Sequence, residues 1–218
     1  MSAQTTTTRS YTFRQPVTSL DDVRDMIGEP SELVLRKELS RLDAHCRAFI
    51  ARAPFLLLGT AGASGRCDVS PRGDAPGFVL VLDDNTIVIP DRPGNKRIDS
   101  FQNILENGHV GLLFIVPGVE ETLRLNGRAM LVRDPDILER LSAQSKTPTI
   151  AIAVEVEEVF LHCAKAFRRS KLWNTEAWPE RSALPTLGKM LTDQLHLDAS
   201  TVAELDCAIE EAYVKKLY

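Results

Sequence analysis

The sequence predicts a mainly β chain: six to seven antiparallel strands closed into a barrel, with helical extensions at both ends. Three observations predict it. Short β-branched runs follow one another between residues 54 and 161, separated by Gly, Pro, Asn and Asp turns. One helical pattern, 98–106, interrupts that series. The two flanks, 1–53 and 176–218, carry helical periodicity instead and divide the chain into an arm with helices, a barrel over 54–175 and a C-terminal helical extension.

Residues 1–16 are polar and Thr-rich and read as a poorly ordered tail or an arm lying on a partner. Thr18 or Ser19 caps a first helix, with Asp21 and Asp22 at its positive end, and Gly28-Glu29-Pro30 breaks it. A second helix is expected from Ser31 to about Ala53, on a loose stripe of Leu33, Leu35, Leu39, Leu42, Cys46, Phe49 and Ile50.

Phe55–Ala61 reads as a buried strand and Gly62–Gly65 as its hairpin loop. Cys67 opens the next strand, which Pro71 and Gly73 are expected to end or bulge. Phe78–Leu82 and Thr86–Ile89 follow across the Asp83-Asp84-Asn85 turn. Ile98, Phe101, Gln102 and Leu105 share one helical face, and Asn107-Gly108 stops that helix. His109–Val116 is apolar on both faces. Glu121–Arg133 alternates, with Leu123, Leu125, Gly127, Ala129 and Leu131 on one side and Arg124, Asn126, Arg128 and Met130 on the other. Asp134-Pro135-Asp136 caps a short helix to 143, and 149–161 is a long β-rich run. Amphipathic helices are expected over 185–195 and 201–217, with Leu205, Ile209 and Val214 on the apolar side of the second.

A net charge of −4 argues against a large nucleic-acid surface. No apolar run approaches the ~20 residues that cross a bilayer, and no signal peptide is visible. The four cysteines, Cys46, Cys67, Cys163 and Cys207, form no C-x-x-C pair and read as reduced, mostly buried thiols of a cytoplasmic chain. The four histidines form no H-x-x-x-H pair, so no metal site is expected.

Chemistry concentrates in Pro90-Asp91-Arg92-Pro93-Gly94-Asn95-Lys96-Arg97. Two prolines and a glycine exclude regular structure there, and Arg92, Lys96 and Arg97 sit on a turn that runs into a helix N-terminus. This points to a phosphate site, although neither G-x-x-x-x-G-K-[ST] nor G-x-G-x-x-G is present. Asp68–Asp74 adds Ser70 and Arg72, which could converge with Lys96 and Arg97 on one phosphate; the alternative is a salt-bridge cluster with Asp68, Asp74 or Asp91. Lys165–Trp173 is a cationic stretch ending in an apolar pair that could cover an aromatic ligand or simply pack.

Phe55-Leu-Leu-Leu-Gly-Thr, Asp68-Val-Ser-Pro-Arg-Gly-Asp, Ile89-Pro-Asp-Arg-Pro-Gly-Asn-Lys-Arg and Glu121-Thr-Leu-Arg-Leu-Asn-Gly-Arg-Ala occur in this order. As a set they resemble the pyridoxamine-phosphate-oxidase-like family of FMN-binding split β-barrels, over about residues 30–175, and specifically its mostly uncharacterised FMN-dependent branch. The resemblance implies a homodimer with FMN at the subunit interface and oxidoreductase activity on a small molecule, with NAD(P)H or reduced flavin as a candidate donor. It implies Arg72, Lys96 and Arg97 as phosphate ligands. Val69, Ser70, Pro71, Ile89, Pro90, Asp91 and Asn95 would lie along the ribityl chain or ring, and Lys165 and Trp173 would come from the other subunit. The pyridoxal-phosphate-recognising residues of the true oxidase find no match, so the vitamin substrate is not carried over. No side chain stands out as a catalytic acid, base or nucleophile. A non-catalytic flavin carrier or sensor, a haem-binding protein ligated through His109 or His162, and a deazaflavin-binding protein are the alternatives on the same fold.

Overall fold

A computed structural model describes residues 11–218. The chain divides between Lys37 and Glu38. In the N-terminal unit, α1 (Leu20–Ile27) begins where the Ser19 hydroxyl accepts from the Asp22 N–H, and Gly28 ends it at φ 82°. A short α2 spans Glu32–Arg36. Neither helix has a buried residue. The expected arm lies partly in residues 1–10, outside the described residues; Tyr11–Val17 forms neither helix nor strand.

The second unit is built on one seven-stranded antiparallel sheet. Its strands are β1 (Phe55–Ala61), β2 (Cys67–Gly73), β3 (Leu80–Val81), β4 (Thr86–Pro90), β5 (His109–Ile115), β6 (Thr122–Val132) and β7 (Ala151–His162). Their order is β2-β1-β5-β6-β7-β4-β3. The ladder is open, with β2 and β3 at its two edges among the described residues, which is the split β-barrel expected from the resemblance. The inner face carries Leu56, Leu58, Leu112, Phe114, Leu123, Leu125, Ile87, Ile89, Ile152 and Val154, all essentially buried. Period-2 alternation places them there, and β6 buries the predicted side, Leu123, Leu125, Gly127 and Ala129.

Three expectations about local structure fail, each for a tertiary reason. The helix expected over 31–53 is broken. Leu39 leaves the helical path to pair with Val159 of β7, at N–O distances of 3.0 and 2.8 Å, and helix resumes only at α3 (Ala44–Ile50), capped by Asp43. β2 ends at Gly73, as expected, but Pro71 neither ends nor bulges it. The strand keeps register with β1 through Leu57↔Pro71 to Phe55↔Gly73, because an edge strand needs no donor on its free side. Only two residues of Phe78–Leu82 form a strand, although Phe78 and Val79 still enter the core.

The irregularity falls instead between β6 and β7. Asn126 pairs with Glu158 but Gly127 with Val156, leaving Glu157 as the extra residue of a bulge. A Cβ on Gly127 would collide with the Glu155 carbonyl.

The helix α4 (Asp99–Glu106) packs by Ser100 and Ile104, with Phe101 against the core, while Ile98 and Leu105 of the expected face are exposed. Ile98 is instead the N-cap residue, at φ 56°. Asn107 ends the helix with extended backbone, and Gly108 serves a close approach to Ala129. The remaining helices are α5 (Pro135–Arg140), α6 (Lys165–Ser170), α7 (Leu187–Gln194) and α8 (Thr201–Lys215). The last two match the expected spans, but Val214 is exposed rather than packed. Cysteine burial also departs from expectation: Cys46 is buried, whereas Cys67, Cys163 and Cys207 are exposed, on a strand end, past β7 and on α8. No described helix is long and apolar enough to cross a membrane.

Candidate functional site

The sheet curls until β2, at one edge, lies beside the segment that leaves β4 near the other. The turn 91–98 and the start of α4 bridge this split. Its backbone is unusual for the residue types it uses: Lys96 (φ 58°) and Ile98 (φ 56°) are both left-handed, a region that costs a β-branched residue most. Such strain persists only where surrounding contacts hold it. Here Asn95 accepts from the Arg97 N–H at 3.0 Å, and α4 is pinned to the sheet through Asn103 Nδ2 to Thr60 Oγ1 at 2.9 Å and the Ala63 N–H to Glu106 at 3.1 Å.

A cleft of about 820 Å³ opens along this split. β2 supplies one wall with Asp68–Gly73; Pro90–Phe101 supplies the other, and Lys146–Thr149 and Tyr218 close one end. The size falls within the ~300–1,000 Å³ of small-molecule sites. Of the residues implied by resemblance, Val69, Ser70, Pro71, Arg72, Pro90, Asp91, Asn95, Lys96 and Arg97 all line it. Ile89 does not: its side chain is fully buried in the core, since β4 alternation turns it inward. Lys165 and Trp173 do not line it either. They lie on and after α6, where Trp173 donates to the Val119 carbonyl at 2.9 Å and stacks near Phe167.

The cations of the cleft are not equivalent. Arg92 is spent on structure: its Nε donates to Asp74 at 2.6 Å and its Nη2 to the Leu141 carbonyl at 2.9 Å, with the Tyr218 ring 5.8 Å from its Cζ. Asp74, with a side chain 3 % exposed, also accepts from the Tyr218 hydroxyl at 2.5 Å. Burial pushes the Asp74 carboxyl up, but the bonds from Tyr218, the Ala75 N–H and Arg92 outweigh it, so its pKa lies below the usual value. Arg97 pairs with Asp99 at 2.8 Å. Lys96 has no hydrogen-bond or ion-pair partner among the described residues.

Arg72 is the buried cation, its side chain 18 % exposed. Its Nη1 donates to Asp91 at 3.1 Å and its Cζ lies 5.9 Å from the Phe101 ring. Its Nε, buried, has no partner among the described residues. Burial raises the Asp91 carboxyl above its ordinary value even though Arg72 pulls it down. A guanidinium with an unmet donor beside an uncomfortable carboxylate is an incomplete arrangement, and an anion would complete it.

A family model described as pyridoxamine 5'-phosphate oxidase matches residues 42–163, more than half of the chain. The chain belongs to the pyridoxamine 5'-phosphate oxidase family. The match covers the sheet through the end of β7, and with it β2, the 91–98 turn and α4. No curated protein matches the chain in sequence. Among solved structures, the chain is similar to an FMN-binding protein from Syntrophomonas wolfei, at 12% identity and TM-score 0.42 over 66% of this chain and 97% of that one. A Clostridium acetobutylicum protein related to general stress protein 26, of the pyridoxinephosphate oxidase family, matches at 14% and 0.42 over 54% and 85%. HutZ, the heme storage protein of Vibrio cholerae, matches at 17% and 0.39 over 56% and 94%.

Among the residues of the site that sequence reasoning missed are Ser100, Phe101 and Tyr218. Ser100 and Phe101 open α4 and reach the β2 side chains, and Tyr218 arrives from the far end of the chain. Both lay inside a recognised helix: Phe101 was on the expected face but was read as packing alone, and Ser100 was on the face not chosen. Nothing local in the sequence signals Tyr218.

Proposed function

We propose that this chain binds FMN in the β2/α4 cleft and acts as an FMN-dependent oxidoreductase on a small molecule. The observation that carries the reading is that one cleft joins Arg72, with its buried unpartnered Nε, to the unpaired Lys96. Phosphate is the group that suits them: Arg72 offers a planar donor set, Lys96 a mobile point charge, and the turn before α4 a helix start. Membership of the family supports FMN as the phosphate bearer.

FMN would supply the hydride or electron transfer. The chain's own part is to bind and orient. Arg72, Lys96 and Arg97 would hold the phosphate, and Asp91 would give up its claim on Arg72. The β2 residues Val69 and Pro71 would offer apolar surface. These two are exposed, and through Gly59↔Val69 and Leu57↔Pro71 they continue the outward face of β1 and β5, which carries Phe55, Leu57, Leu113 and Ile115. A cleft wall continuous with an apolar sheet face supports the homodimer reading, in which a second copy covers that face and brings its own Lys165 and Trp173. A cytoplasmic setting belongs to the same proposal.

The deciding experiment is an absorption spectrum of the purified protein, followed by FMN titration and light scattering. Flavin bands, saturable uptake and a dimeric mass are expected. A colourless protein that takes up no FMN would defeat the proposal.

A further inference from the structure

Three side chains that hold the two walls together also fix the polarity of the cleft. Ser100, the second residue of α4, is 3 % exposed. Its Oγ donates to Asp68 Oδ2 at 3.2 Å and lies 3.1 Å from Ser70 Oγ. A carboxylate can only accept, and a serine hydroxyl carries one proton. The Ser100 proton is therefore committed to Asp68, and the Ser70–Ser100 bond must be made by the Ser70 proton. Ser70 is left with lone pairs and no proton to offer.

We infer that Ser70 is an acceptor-only residue of the cleft, selecting the part of a ligand that carries hydroxyl or N–H donors, and that Ser100 and Asp68 are the positioning residues that enforce this. The inference rests on the FMN reading for its ligand but not for its geometry. It divides the cleft in two. Arg72 and Lys96 form the end that accepts a phosphate. Ser70, two residues before Arg72 on the same side of β2, is unsuited to an anion and suited to a hydroxylated chain attached to one. A polyol phosphate has both parts in that order. The plain alternative is that the Ser–Ser–Asp string only clips β2 to α4.

Calorimetric titration of FMN and of inorganic phosphate separates the two. Ser70→Ala is expected to weaken FMN about fivefold to tenfold, as one neutral hydrogen bond does, while phosphate affinity stays within about twofold. Ser100→Ala frees the Ser70 proton to turn into the cleft, so FMN weakens while phosphate, held at the Arg72 and Lys96 end, stays within about twofold. A simple clip moves both ligands in the same direction in both variants, or moves neither, and either outcome overturns the inference. Asp68→Leu, which removes the acceptor at similar side-chain size, repeats the test should Ser100→Ala lose its circular-dichroism spectrum. The same titrations with ribitol 5-phosphate keep this inference apart from the proposed function. Wild-type protein that takes the polyol phosphate but not FMN defeats the flavin reading alone, and the Ser70→Ala comparison then decides the acceptor. Protein that takes neither defeats both.

Discussion

Arg72 of β2 and Asp91, just past β4, belong to strands separated by four others in the sheet, yet their side chains meet at 3.1 Å. The ion pair bridges the split and occupies the cation an anionic ligand would need. Ligand and Asp91 therefore compete for Arg72. Asp91→Asn is expected to tighten inorganic phosphate severalfold, measured by calorimetry. Loss of phosphate binding in that variant would show that Asp91 positions Arg72 instead.

The same pair gives a pH signature. Burial raises the Asp91 pKa in the folded chain. The folded state then holds its proton longer than the unfolded state, so this residue's contribution to stability is fully present below the unfolded value, about 3.9, and is lost as pH rises through the folded one. In urea titrations across that window, wild type should lose stability relative to Asp91→Asn as pH rises.

Asp74 behaves in the opposite sense. Its folded pKa is lowered, so its contribution is present above the unfolded value and lost as pH falls through the folded one. Asp74→Asn should remove that acid-side loss. Asp74→Ala should also destabilise the chain at neutral pH by about 2–4 kcal/mol, because it leaves Arg92 largely buried without its carboxylate. Thermal melts at pH 7 and chemical melts between pH 3 and 5 check both outcomes.

The double change Arg72→Ala, Lys96→Ala should cut FMN affinity by roughly a hundredfold or more. Charge-assisted hydrogen bonds contribute about 1.5–3 kcal/mol each, and about 1.4 kcal/mol is tenfold. Arg92→Ala is the contrast: it should lower melting temperature with its main effect on the Asp74 cluster. Equal FMN affinity in the double variant and wild type would remove Arg72 and Lys96 from the site.

Gly127→Ala should destabilise the fold by about 2–4 kcal/mol, as an overpacked position does. The added methyl would meet the backbone carbonyl of Glu155, which cannot swing aside as a side chain would, so the β6–β7 bulge must reopen. A melting temperature unchanged within a degree would mean that the bulge relaxes freely.

The sequence by itself determined the mainly β order of elements, the helix inserted after β4, the two C-terminal helices and the segments that carry the site. Those features rest on local physics: period-2 burial in β6, the Pro/Gly interruption at 90–94, the Asp-Pro start of α5. Only the tertiary structure decided which of the cleft's cations are already spent on partners. Arg92 and Lys96 look alike in the chain, and they part company because Asp74 and Tyr218, distant from Arg92 in sequence, are near it in space. The break at Leu39, the regular course of β2 through Pro71 and the choice of Ser100 over Leu105 as the inward face of α4 have the same cause. A strand edge, a pairing partner and a buried carboxylate are set by residues tens of positions away, and no local window contains them.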